Sequence, residues 1–235
     1  MAAKGRERGR KVLFHEDFDT LSRWKPLYFP KIEKHSIYKV MKKDGTSYLQ
    51  AESSASASAL VSETPFDVYR YPWLRFRILV RNVYKRGDAE KKSGDDYPFR
   101  IYVMFKYDPS RVGFWEKVKY KSAKLIYGKY PPYASLNYIW ANKRHEKTIL
   151  TSTYTDRAKM VIIDYGKKDL GVWKEFQVNI LKDYRQAFGK EPPRIAQLAI
   201  MNDSDNTGES SLFLMDFLEV ADRPVEKEAK ASVGK

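Results

Sequence analysis

The sequence predicts an all-β fold, an antiparallel β-sandwich of jelly-roll type with one or two short helices. Three observations carry this. Apolar residues recur in short alternating runs rather than at helical spacing, turn residues separate roughly ten such runs, and helix start and stop signals are few. The chain has 235 residues, 43% hydrophobic and 14% aromatic, enough to bury a sizeable core, which excludes global disorder.

Phe14, Phe18, Leu21 and Trp24 punctuate an opening segment that suits a first strand of a sandwich. Ile37-Tyr38-Lys39-Val40 and Tyr48-Leu49-Gln50-Ala51 flank Asp44-Gly45, a hairpin signal. Ser53 to Ala59 alternates small residues and reads as a strand beneath a close-packed partner. Trp73, Phe76, Ile78 and Val80 lie among Arg75, Arg77 and Arg81, and Phe99, Ile101, Val103 and Phe105 alternate with Arg100, Tyr102, Met104 and Lys106. Later strands are expected over 160–163, 173–180, 195–201 and 211–220, the last closing beside the first. Asp183 is positioned to cap a short helix from Tyr184 to Phe188, which Gly189 ends and Pro192-Pro193 prevents from resuming. A second helix candidate is Trp115 to Ile126. The expected layout is a basic flexible arm over 1–11, one sandwich domain over 12–222 and a flexible charged tail over 223–235.

Cysteine is absent, which excludes disulfides, thiolate metal sites and a cysteine nucleophile. The three histidines lie far apart in no ligand pattern, and His145 is expected to face solvent. No stretch of about 18 apolar residues predicts a membrane-crossing helix. No apolar signal-peptide region follows Met1. The net charge of +14 persists in the central domain once the basic N-terminal arm and the mixed tail are set aside, so polyanions are attracted to it. Lysines interleave with aromatics from Trp115 to Tyr133, the composition of an unspecific polyanion surface. That stretch matches no nucleic-acid-binding pattern, and nucleic acid is not the expected partner.

Three clusters are candidates for chemistry. In Met201 to Glu209, the residues Asp203, Asp205 and Thr207 have the alternate spacing of oxygen ligands in a calcium loop, with Gly208 at the sharp turn and Glu209 beside it. The EF-hand pattern then fails, because Leu214 stands where the bidentate glutamate belongs. The structural alternative is an Asx-rich turn satisfying its own backbone. In Gly94 to Arg100, strand alternation sends Asp95 and Asp96 to opposite faces, and Arg100 shares a face with Asp96, which it can pair or leave to bind an anion. In Leu136 to Asn142, Tyr138 and Trp140 share one face, which makes either a sugar-stacking platform or core.

These motifs occur in a fixed order: Tyr38-x-Val40, Leu49-x-Ala51 with the following Ser-Ala-Ser run, Trp73-Leu74-Arg75-Phe76, Gly94-Asp95-Asp96-Tyr97 with Arg100-Ile101-Tyr102-Val103-x-Phe105, Tyr138-x-Trp140, Asp183-Tyr184-x-x-x-Phe188-Gly189, and Met201-x-Asp203-x-Asp205-Asn206-Thr207-Gly208-Glu209. Over roughly residues 14–221 the chain resembles the bacterial domain-of-unknown-function family numbered 3047. The resemblance implies a jelly-roll sandwich similar to galactose-binding-like and lectin-like folds and a home outside the cytoplasm, periplasmic or secreted. It implies no activity.

The expected function is a non-catalytic binding module for carbohydrate or another envelope polymer, using acidic loops at one sandwich edge. Its ligand-binding residues would be Asp95, Asp96, Arg100, Tyr138, Trp140 and Asn206, with Ca²⁺ as the one cofactor considered, held by Asp203, Asp205, Thr207 and Glu209. One alternative is a glycan hydrolase or lyase drawing its carboxylates from Asp95, Asp96, Asp203, Asp205 and Glu209. The other is a protein that binds a polyanion, nucleic acid or acidic polysaccharide, through the Lys117 to Lys129 surface and the N-terminal arm.

Overall fold

A computed structural model describes residues 9–111, 113 and 131–226. Fourteen strands are present among them: β1 (Val12–Glu16), β2 (Trp24–Leu27), β3 (Ile37–Lys43), β4 (Thr46–Ser54), β5 (Ala57–Ser62), β6 (Phe66–Asp67), β7 (Trp73–Val80), β8 (Arg100–Phe105), β9 (Ala134–Ala141), β10 (Ile149–Thr151), β11 (Ala158–Tyr165), β12 (Lys174–Asn179), β13 (Ile195–Asp203) and β14 (Ser210–Ala221). One α-helix, α1 (Ile180–Phe188), and short 3-10 turns at Lys92–Gly94 and Pro109–Arg111 complete the list. The second helix candidate, the lysine-aromatic stretch up to Tyr130 and most of both expected flexible ends lie outside the described residues.

The strands form a sandwich of jelly-roll type. One sheet has six strands in the order β12-β7-β14-β4-β3, with β1 also on β14; the other has eight in the order β10-β11-β9-β8-β13-β5-β2, with β6 also on β13. The last strand closes antiparallel beside the first, Phe14 opposite Val220. Inward residues of both sheets make one core, in which Phe99 stacks on Phe76 at 5.7 Å and meets Phe213 edge-on at 5.1 Å. On the outer face of the six-stranded sheet, the arginines that alternate with these apolar residues find cross-strand acids: Arg75 bonds Glu175 and Arg77 bonds Asp216.

Local signals explain most element ends. Asp44 and Gly45 both have positive φ, 51° and 79°, the conformation that joins β3 to β4 with the twist a tight hairpin needs. Gly189, at φ 66°, ends α1 by donating its N–H to the Arg185 carbonyl.

Two local expectations are corrected, the strand over Ser53 to Ala59 and the start of the helix. Ser53 to Ala59 is two strands in different sheets: β4 ends at Ser54, Ala55 turns at φ 47°, and the chain crosses the sandwich edge into β5. Small residues there permit the close crossing, and Ser56 Oγ caps it by accepting from Ser54 N at 3.0 Å. Within the sandwich one strand pair is parallel. The chain overshoots from β9 to β10, then returns as β11 between them, which makes β11 parallel to β9 and antiparallel to β10. The helix begins four residues before Tyr184, with Asn179 Oδ1 as the cap on Lys182 N at 2.9 Å, and Asp183, inside its first turn, accepts from the Tyr138 hydroxyl. Just before β1, Arg10 pairs with Glu219, and Lys11 N donates to Asp222 Oδ1 at 2.8 Å.

Candidate functional site

The site is built where the loop after β7 meets the end of β13. The 3-10 turn at Lys92–Gly94 swings the chain into the sandwich edge, and only glycine fits at Gly94, since a Cβ there would lie 2.6 Å from Asp88 N and 2.8 Å from the Arg86 carbonyl. Asp95, Asp96 and Tyr97 follow in irregular backbone, because β8 starts only at Arg100. Strand alternation therefore does not apply to the two aspartates, and both are buried.

Asp96 is the clamp of the neighbouring turn. Its Oδ1 accepts from Asn206 N at 3.3 Å and Asn206 Nδ2 at 3.0 Å, and its Oδ2 accepts from Thr207 N at 2.6 Å. Arg100 does not pair with Asp96 as strand alternation suggested. It faces Met201 across β8 and β13, and Asp203 lies two residues further along that same face. Its Nη2 donates to Asp203 Oδ2 at 2.8 Å and to the Asp95 carbonyl at 3.1 Å, and its Nη1 to the Tyr102 hydroxyl at 2.7 Å. The guanidinium also lies 4.3 Å from the Tyr97 ring centroid. Asp203 further accepts from Tyr97 N at 3.3 Å.

Asp95 Oδ1, by contrast, has no hydrogen-bond partner among the described residues and sits 4.0 Å from Arg100 Nη2. Half-buried Asp205 completes the group, and Asp96, Asp203 and Asp205 each offer one carboxylate oxygen within 4.8 Å of the others. At the rim, Tyr154 is 56% exposed and its hydroxyl donates to Asn206 Oδ1 at 3.0 Å.

The expected metal set divides. Asp203 and Asp205 enter this cluster, but Thr207 and Glu209 do not converge with them. Thr207 Oγ1 accepts from Glu209 N, and the Thr207 carbonyl accepts from Arg86. The Glu209 oxygens accept from Lys85 N at 2.9 Å and Arg86 N at 2.8 Å. Gly208, at φ 66°, folds the segment into a turn closed by its N–H on the Ser204 carbonyl.

The aromatic pair is also corrected. Tyr138 and Trp140 share a face of β9, and it is the inner one. Both are fully buried, Tyr138 bonded to Asp183 at 2.8 Å and Trp140 Nε1 to the Gly166 carbonyl at 3.0 Å, so neither offers a ring to a ligand. The exposed ring at the site is Tyr154, which sequence reasoning passed over. Its signal was an aromatic set in the polar run Thr151-Ser152-Thr153-Tyr154-Thr155-Asp156. His145 is likewise no solvent-facing residue: its side chain is 3% exposed and meets Glu90 at 3.3 Å, beside Asp88, which pairs with Lys143.

Electrostatics mark the acidic cluster. Burial pushes the pKa values of Asp95, Asp203 and Asp205 above the ordinary carboxylate range, and Arg100 only partly opposes it. Neighbouring carboxylates add to the rise, Asp96 in all three cases. A carboxyl raised in this way binds its proton in the folded state first. Its contribution to stability grows as pH falls through the raised value and is complete below the unfolded pKa of about 4. Burial works against ionisation of Glu209 and Glu219 too, but hydrogen bonds to Glu209 from Arg86 and Lys85 and to Glu219 from Arg10 and His15 leave both lowered. Their contribution is present above the unfolded pKa and lost as pH falls through the lowered one. Thermal unfolding without divalent ions is therefore expected to show stability rising on mild acidification from neutral, then falling in strong acid, with Asp203→Asn flattening the rise. A steady loss from neutral downward would contradict the raised carboxyls.

A family model described as "Protein of unknown function (DUF3047)" matches residues 22–216. No curated protein matches the chain by sequence. Among solved structures, a family 30 carbohydrate binding module is similar at 9% identity over 95% of this chain and 88% of its own, with a TM-score of 0.41. The K1 cleaved adhesin domain of Lys-gingipain from Porphyromonas gingivalis W83 is similar at 10% identity over 88% of this chain and 96% of its own, with a TM-score of 0.39. The family GH12 endoglucanase 3 of Trichoderma harzianum is similar at 7% identity over 85% of this chain and 97% of its own, also at 0.39.

Proposed function

The chain belongs to the DUF3047 family, and from that premise we propose that it is a non-catalytic binding module for carbohydrate or another envelope polymer, engaged where Tyr154 meets the acidic loops. The observation that carries this reading is the pairing of Tyr154 with Asn206. An exposed aromatic ring is held by its own hydroxyl on Asn206, the residue that follows Asp205 of the carboxylate cluster. A ring face covers the C–H side of a sugar, while flanking carboxylate and amide oxygens accept its hydroxyls.

The hydrolase reading is less well supported. Glycosidases need one carboxyl free to donate a proton and another free to attack or to activate water. Both oxygens of Asp96 and both of Asp203 accept hydrogen bonds from backbone, Asn206 or Arg100. Glu209 is held away by backbone N–H groups.

The test is titration against a panel of neutral and acidic polysaccharides with Tyr154→Ala beside the parent. Because the ring is exposed, the melting temperature should stay within a degree or two, while affinity for the bound polymer falls by about tenfold or more. Retained affinity, or no binding by the parent to any glycan, would overturn the reading.

A further inference from the structure

We propose that Asp96, Asp203 and Asp205 form a site for one hard divalent cation, Ca²⁺, at this edge. The inference deepens the polymer-binding reading, in which the ion would stand between the protein and the ligand hydroxyls, and the ion site has its own geometric support.

The first support is the donor set. Asp96 comes from the loop before β8, Asp203 from the end of β13 and Asp205 from the turn that follows, and their oxygens converge within 4.8 Å. All three donors are hard oxygens, with neither nitrogen nor sulfur among them, which selects Ca²⁺ or Mg²⁺ over the later transition metals. Ca²⁺ takes six to eight oxygens, so three protein donors leave positions for water or for vicinal hydroxyls of a sugar.

The second support is independent. Asp95 is 6% exposed, its Oδ1 has no hydrogen-bond partner among the described residues, and it lies 4.0 Å from the guanidinium nitrogen that already holds Asp203. A buried carboxylate oxygen without a donor is costly unless a cation is near. Arg100 is the one buried cation among the described residues here, and it already serves both Asp203 and Asp95. The other nearby positive groups are engaged elsewhere, Arg86 with the Thr207 carbonyl and Lys92 over the Tyr154 ring. The group of Asp88, Glu90 and His145 differs in this respect, because Lys143 and Lys91 already pair with Asp88.

The experiment uses the full chain stripped with chelator and titrated with CaCl₂ at matched ionic strength. It is followed by calorimetry, by thermal unfolding, and by tyrosine-sensitised luminescence of Tb³⁺ displaced by Ca²⁺. At about a hundredfold excess over Kd the melting temperature should rise by roughly 5–10 °C. Asp205→Asn, at a half-buried position, should abolish the shift while melting no lower than the stripped parent. Absence of heat, shift and luminescence in the parent would overturn the ion site even if glycan binding is intact. A calcium shift without glycan binding would keep the ion and overturn the polymer reading. An undiminished shift in Asp205→Asn would place the ion elsewhere and overturn this assignment.

Discussion

Replacing Arg100 with methionine is expected to cost about 3–5 kcal/mol of unfolding free energy near neutral pH. Methionine has a comparable length and no donors. Arg100 is 4% exposed and supplies the hydrogen bonds that tie Asp203, the Asp95 carbonyl and Tyr102 together. Without it Asp203 remains buried among Asp95, Asp96 and Asp205 with no counter-charge from the described residues. Burial and those neighbours already push its pKa up, so acid protonates the orphaned carboxyl and should relieve much of the penalty. Urea unfolding at about pH 7 and about pH 5 measures both quantities. A penalty that does not change with pH would locate the loss in packing rather than in the ion pair. Adding Asp203→Asn to the arginine variant should recover part of the loss near neutral pH, since a neutral side chain needs no counter-charge.

Trp140→Ala is expected to be of the same size, about 3–5 kcal/mol, and to leave polymer affinity unchanged in the fraction that stays folded. The indole is completely buried on the central strand β9, between β8 and β11, and its N–H is satisfied by the Gly166 carbonyl. Truncation would empty a large volume in a close-packed interior and leave that carbonyl without its donor. Denaturant midpoints together with polysaccharide titration separate core from binding platform. Normal stability with lost binding would restore the platform and contradict the burial. The contrast with Tyr154→Ala is direct, because one ring fills the sandwich and the other stands at its edge.

The two acidic segments show how far sequence reasoning reaches. Asp95-Asp96 and Asp203-x-Asp205 were legible as chemistry because unpaired acids crowd against apolar strands in both places. Their meeting was not legible, since it depends on β8 lying beside β13 with Arg100 opposite Met201, a contact between residues about a hundred positions apart. Tyr154 joins Asn206 only through the same long-range packing. The spacing that suggested a calcium loop identified two oxygens of the cluster, Asp203 and Asp205, and missed Asp96, which comes from another segment.

By itself the sequence determined what neighbouring residues decide: the β class, the Asp-Gly hairpin, the glycine that stops α1 and the alternation that pairs Tyr138 with Trp140 on one face. The tertiary structure decided which of two faces is inside, because a period of two residues is the same seen from either side and only the second sheet breaks that symmetry. It also decided the crossing at Ala55, the parallel placement of β11, the meeting of Asp95 and Asp203 on one arginine and the convergence of Asp96, Asp203 and Asp205. Those features depend on which distant segments share an edge, and local spacing carries no information about that.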